Sequence, residues 1–133
     1  MPLAVKPRLR VLAGADIALG PGKVALLDAI EEHGTLAGAA QALEMSYMRA
    51  WKLVQTMNAC FREPLVETSR GGTAHGKAAL TPAGREVRAL YRAMEKACLQ
   101  AVQPMWEELT PYLITEPEAD AQPRRGDSIK PGA

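Results

Sequence analysis

Aromatic side chains are scarce in this sequence: one phenylalanine, Phe61, two tryptophans and three tyrosines among 133 residues. A core with so little aromatic volume must be assembled from Ala, Leu, Val and Met, and that composition favours helices. Cysteine is nearly absent too. Cys60 and Cys98 form no CxxC pair, which argues against a disulfide scaffold and for a reducing, cytoplasmic compartment. No apolar run approaches the roughly 20 residues of a membrane span. Lys6, Pro7, Arg8 and Arg10 interrupt the start too early for a secretion signal. The length suits one domain with a tail rather than two full domains. Charge of one sign is missing as well, since 16 Lys and Arg against 15 Asp and Glu leave a net +1.

That near-neutral total conceals a segregation. Residues 46–92 hold eight Lys or Arg against three acids, a local +5, whereas residues 21–45 carry −3. A single basic region of this kind is the footprint of a polyanionic partner.

Along the chain, Arg8-Leu9-Arg10-Val11-Leu12 alternates basic and apolar residues as a half-exposed strand does. Ala13-Gly14-Ala15-Asp16 supplies a turn and Ile17-Ala18-Leu19 a return, giving an N-terminal β segment over residues 1–20. Pro21 opens a helix that turns Val24, Leu26, Leu27 and Ile30 inward and stops at His33-Gly34. Thr35 is placed to N-cap a second helix, Leu36 to Leu43; Glu44-Met45 leaves room only for a tight turn. Ser46 caps a third helix running to about Phe61, with Ala50, Val54, Met57 and Phe61 as its apolar stripe. Tyr47, Met48, Arg49, Lys52, Gln55 and Thr56 lie mostly off that stripe.

Leu65–Thr68 and Ala78–Leu80 read as two strands around a cationic, glycine-rich loop, residues 69–77. Thr81-Pro82 starts a last long helix. On it Val87, Tyr91, Met94, Cys98, Ala101 and Met105 recur at alternating spacings of four and three, a coiled-coil-like seam suited to a second copy of the chain. Pro104 is expected to break or kink this helix because it removes a backbone donor. Residues 116–133, with prolines, charges and almost no large apolar side chains, read as a disordered tail. The fold class is therefore mostly α with a small β-hairpin wing (α+β). A winged helix-turn-helix over 21–81 is followed by a helical dimerisation region over 82–115.

Several blocks carry a family resemblance: Leu26-Leu27-Asp28-Ala29-Ile30, Gly34-Thr35-Leu36-Ala37-Gly38-Ala39-Ala40 and Met45-Ser46-Tyr47-Met48-Arg49-Ala50-Trp51. Met57-Asn58, Leu65-Val66-Glu67, Gly71-Gly72 and Leu80-Thr81-Pro82-Ala83-Gly84-Arg85 complete the set. Over about residues 17–95 the chain resembles the DNA-binding domain of ModE-type molybdate-responsive bacterial regulators, itself similar to that of LysR-type regulators. The resemblance implies a DNA-binding part without the family's molybdate-binding domain. Ala74, His75 and Lys77 interrupt what the family has as a longer glycine run, and they add positive charge there.

The resemblance and the physics agree on where DNA is expected. A helix fits the major groove, and residues near its N-terminus reach base edges. Ser46, Tyr47, Arg49 and Lys52 occupy that position, with Arg49 the candidate for a guanine edge. Thr35 offers an amide and a hydroxyl to phosphate. Arg70, Gly71, Gly72, His75 and Lys77 are the candidates in the wing for phosphate or minor-groove contact. Trp51 is expected to pack partly against the second helix.

Catalysis finds no support. Gly71 to Lys77 mimics a phosphate-binding loop, but Ala78 stands where a magnesium-binding hydroxyl belongs, and the next helix begins only near Pro82. Glu31-Glu32 and Glu107-Glu108 are adjacent pairs, splayed by about 100° on a helix. His33, His75, Cys60 and Cys98 lack metal-ligand spacing. The expectation is thus a cofactor-free, non-enzymatic regulator, a homodimer on double-stranded DNA with no membrane partner. The alternatives are a winged-helix protein-interaction module and a small oxyanion-responsive sensor.

Overall fold

The computed structural model describes residues 2–69 and 76–114; the tail expected over 116–133 lies outside them. The elements in chain order are β1 (Val11–Ala13), β2 (Asp16–Leu19), α1 (Pro21–His33), α2 (Leu36–Ala42), α3 (Tyr47–Ala59), β3 (Val66–Thr68), β4 (Ala78–Leu80) and α4 (Pro82–Leu109), with a 3₁₀ turn at Thr110–Tyr112. The strands form two separate antiparallel hairpins, β1–β2 and β3–β4. This is the mostly helical winged-helix order expected from the sequence. Residues 7–97 make one compact unit; among the described residues, 2–6 and 98–114 group apart from it.

Local chemistry sets most boundaries. Pro21 occupies the first turn of α1, and Gly34 ends it at φ 74°, its N–H donating to Ile30 O. Thr35 caps α2 by accepting from Gly38 N at 2.9 Å. The end of α2 comes one residue earlier than expected, and Glu44 takes φ 58°. Glu44 N donates to Gln41 O (3.1 Å) and Met45 N to Ala40 O (3.0 Å). That pair of bonds is the terminator usually built on glycine. Here it is imposed on a side chain that pays roughly 1–2 kcal/mol for left-handed geometry.

The core of the larger unit is aliphatic, as the composition requires. Val24, Leu26, Leu27 and Ile30 of α1, Leu36 of α2, Val54 and Met57 of α3, and Leu65 are almost wholly buried. Ala39, Ala40 and Ala50 are also buried, and their small side chains let α2 and α3 approach closely. The expected first strand is displaced: ladder pairing begins at Val11, and Arg8 to Arg10 alternate in exposure without joining it.

Two features of α4 depart from expectation. The helix is not broken at Pro104 but continues through it to Leu109, so of the break or kink expected there the break is absent. A proline in a helix interior deletes one backbone bond, and the bonds on either side carry the helix past it. Tyr91, expected on an outward seam, is 1% exposed and belongs to the core. Its hydroxyl donates to Leu9 O at 2.7 Å, and burial raises the phenol above its ordinary value, keeping the donor protonated.

The entry into α4 is the tightest junction. Thr81 Oγ1 donates to Pro64 O (2.7 Å) and accepts from Gly84 N (2.9 Å), while Thr81 N donates to Leu65 O (3.0 Å). A Cβ on Gly84 would overlap the Leu65 carbonyl oxygen, a backbone atom that cannot swing away. Gly84→Ala is therefore expected to destabilise by about 3 kcal/mol in chemical denaturation. Gly22→Ala in α1, where an added Cβ meets nothing, is expected to stabilise by about 0.5 kcal/mol. Equal effects would show that the close approach at Gly84 is absent.

Candidate nucleic-acid interface

Helix α3 begins at a side-chain cap, Ser46 Oγ accepting from Arg49 N at 3.0 Å. Ala50, Val54 and Met57 face inward. Phe61, expected to extend that stripe, lies beyond the helix end at Ala59 and is half-buried. Tyr47, Met48, Arg49, Lys52 and Gln55 are exposed. At about 100° per residue, Met48, Lys52 and Gln55 form an outer ridge opposite the buried stripe. Arg49 sits on one flank of that ridge, and Tyr47 and Trp51 on the other.

The ridge is electrically one-sided. Helix α3 contains no Asp or Glu. Among the described residues, neither Arg49 nor Lys52 enters a salt bridge. The basic excess of residues 46–92 is not all available in this way. Arg88 and Arg92 pair with Asp28 of α1, Arg92 also with Glu95, and Arg85 donates to Leu80 O at 3.2 Å.

The second hairpin stands beside α3 because of two sets of bonds. Asn58 Nδ2 donates to Val66 O (3.0 Å), and its Oδ1 accepts from Leu65 N (2.8 Å) and Val66 N (3.2 Å). One α3 side chain thereby fixes the start of β3. On the return side, Ala78 N donates to Gly34 O (3.0 Å), Leu36 N donates to Gly76 O (3.3 Å), and Thr35 bridges Lys77 in antiparallel fashion. The wing base is stitched to the turn between α1 and α2.

Several sequence-derived candidates converge on this face. Ser46, Tyr47, Arg49 and Lys52 lie on the first turns of α3. Thr35, half-buried, and Lys77, exposed, are brought together. The Thr35 hydroxyl is engaged as a cap, and the next amide along, Leu36 N, is taken by the wing. Arg70, Gly71, Gly72 and His75 lie outside the described residues. Trp51 is half-buried and, with Leu36, Tyr47, Met48, Thr68, Ser69 and Gly76, lines a shallow cavity of about 360 Å³. The α4 seam divides: Val87 and Tyr91 pack into their own domain and Cys98 is half-buried, while Met94, Ala101 and Met105 are exposed.

Met48 and Gln55, read from the sequence as lying off the apolar stripe but not counted among the site candidates, share the outer ridge. Asn58 gave no signal of its clamp, since its partners lie seven and eight residues ahead in a strand whose position the sequence does not disclose.

Residues 22–85 match the lysR family of bacterial regulatory helix-turn-helix proteins. The chain is 42% identical over 90 residues to the molybdenum-pterin-binding protein MopA of Rhodobacter capsulatus, a match covering 68% of this chain and 34% of that protein. It is 39% identical over 102 residues to the molybdenum transport protein ModE of Azotobacter vinelandii, covering 77% and 38% respectively. With the transcriptional regulator ModE of Haemophilus influenzae it shares 31% identity over 93 residues, covering 70% and 36%. The chain thus spans little more than a third of the length of these relatives.

The clamp yields a stability prediction. Asn58→Ala removes three hydrogen bonds and leaves two partly buried amides without an acceptor. It is expected to lower unfolding free energy by about 2–3 kcal/mol. Urea denaturation measures this, and a change below about 0.5 kcal/mol would show that water replaces the side chain without loss.

Proposed function

Residues 22–85 carry a lysR-type bacterial regulatory helix-turn-helix domain, and from that premise we propose that the chain is a sequence-specific, double-stranded-DNA-binding transcriptional regulator of the ModE type. In this reading α3 enters the major groove, and the wing, residues 69–77, meets the flanking backbone or minor groove. The observation that carries it is the outer surface of α3. Arg49 and Lys52 project without ion-pair partners among the described residues, on a helix free of acids, from the turn that follows α2. Side chains at this position reach base edges, and a capped helix start supplies amides toward phosphate.

We further propose that DNA is bound by a homodimer. Support comes from α4, where Leu90, Met94 and Met105 are 53%, 46% and 60% exposed. Large apolar groups in a row along one helix are unfavourable in water and suit the matching row of a second copy. A two-fold dimer would read two half-sites separated by about one helical turn of DNA. No helix among the described residues is long and apolar enough to cross a membrane.

Selection from a random duplex pool, followed by titration at two salt concentrations, tests the DNA reading. The enriched duplex is expected to bind with strong salt dependence. Arg49→Ala with Lys52→Ala is expected to weaken binding on the order of tenfold or more and to flatten the salt slope. Unchanged binding would remove α3 as the recognition helix. For the dimer, light scattering at tens of micromolar is expected to give twice the chain mass, and Met94→Glu with Met105→Glu to give a monomer. A monomeric wild-type protein would sink the dimer.

A further inference from the structure

Cationic contacts give Arg49 and Lys52 a role but leave Met48 without one. Met48 is 58% exposed on the outer ridge of α3, one turn before Lys52, and Tyr47 beside it is 50% exposed. Neither side chain completes the core, whose α3 contribution is Ala50, Val54 and Met57. Instead they form one wall of the shallow cavity that runs from α3 to the wing base, closed behind by Trp51 and Leu36.

What surrounds this apolar spot limits what can cover it. Arg49 and Lys52 flank it on a helix without acids, and Lys77 follows Gly76 on the wing side. An apolar peptide would gain from the cavity and nothing from the cationic rim. A DNA major groove satisfies both. Its phosphates answer the rim, and its base edges offer one kind of protruding apolar group, the C5-methyl of thymine.

Resting on the DNA-binding reading, we propose that Met48, backed by Tyr47, is a specificity-determining residue that packs against the C5-methyl group of a thymine. Methionine suits this task because its unbranched, polarisable chain adjusts to a methyl whose position is set by the duplex rather than by the protein. Arg49 and Lys52 hold the helix against the backbone and guanine edges; Met48 reads the apolar feature between them.

The test uses the duplex enriched from the random pool, with each thymine replaced singly by uracil, which deletes the methyl and leaves the pairing intact. At one position per half-site the wild-type protein is expected to bind the uracil duplex about fourfold more weakly, the effect of one buried methyl group. Met48→Ala is expected to bind the thymine and uracil duplexes equally at that position, and Met48→Leu to keep the preference. A wild-type protein indifferent to every uracil substitution overturns the proposal. So does a thymine preference that survives in Met48→Ala. A pool that yields no enriched duplex overturns the DNA reading itself, and this proposal with it.

Discussion

The short stretch Pro64–Val66 is gripped from two sides by side chains that arrive from different helices. Asn58 of α3 holds the Leu65 and Val66 amides and the Val66 carbonyl. Thr81, at the head of α4, holds the Pro64 and Leu65 carbonyls. Leu65 itself is fully buried, so its peptide groups have little access to water that might substitute for these partners. Each bond is worth about 1 kcal/mol net, but their joint effect is positional. They decide where β3 starts, hence where the hairpin stands relative to α3, and at what point α4 departs. Gly84 belongs to the same junction, because only a residue without a Cβ lets the helix lie against the Leu65 carbonyl.

Around that junction the scarcity of aromatics becomes intelligible. Helices α1, α2 and α3 meet through Ala, Val, Leu and Met, and the buried alanines keep α2 and α3 close. The large or cationic side chains of α3 are thereby left for its exposed side, Met48 and Lys52 on the outer ridge and Arg49 and Tyr47 on its two flanks. One helix thus serves two surfaces with little overlap in residue type: small and aliphatic inward, large, amide or cationic outward.

The elements that were legible in the sequence are those decided by local chemistry. Pro21, Gly34, Thr35, Ser46 and Thr81-Pro82 each mark a helix end through a bond or a backbone angle within a few residues. The buried faces of α1 and α3 followed from periodicity in the same way. What escaped depends on partners far along the chain. Tyr91 fits an outward heptad position by spacing, yet it reaches the Leu9 carbonyl, 82 residues away. Arg88 and Arg92 count as basic charge until Asp28 is seen opposite them. Glu44 could not have been read as left-handed, because the residue type argues against it and the backbone bonds that go with it, to Gln41 O and Ala40 O, carry no side-chain signal. Of the interface candidates, those on α3 were found by helical phase, whereas Asn58 became visible only once β3 was placed.

The stitching of the wing base has a mechanical consequence. Its outgoing strand is tied to α3 through Asn58, and its return strand to the Gly34–Leu36 turn through backbone bonds. Helix α3 and the wing base therefore form a caliper of set opening. In the proposed DNA-binding reading, a duplex seated across such a caliper would be the softer of the two bodies, and the work of fitting would fall on the DNA. Groove width and the flexibility of base steps that no side chain touches would then enter the choice of site as elastic energy.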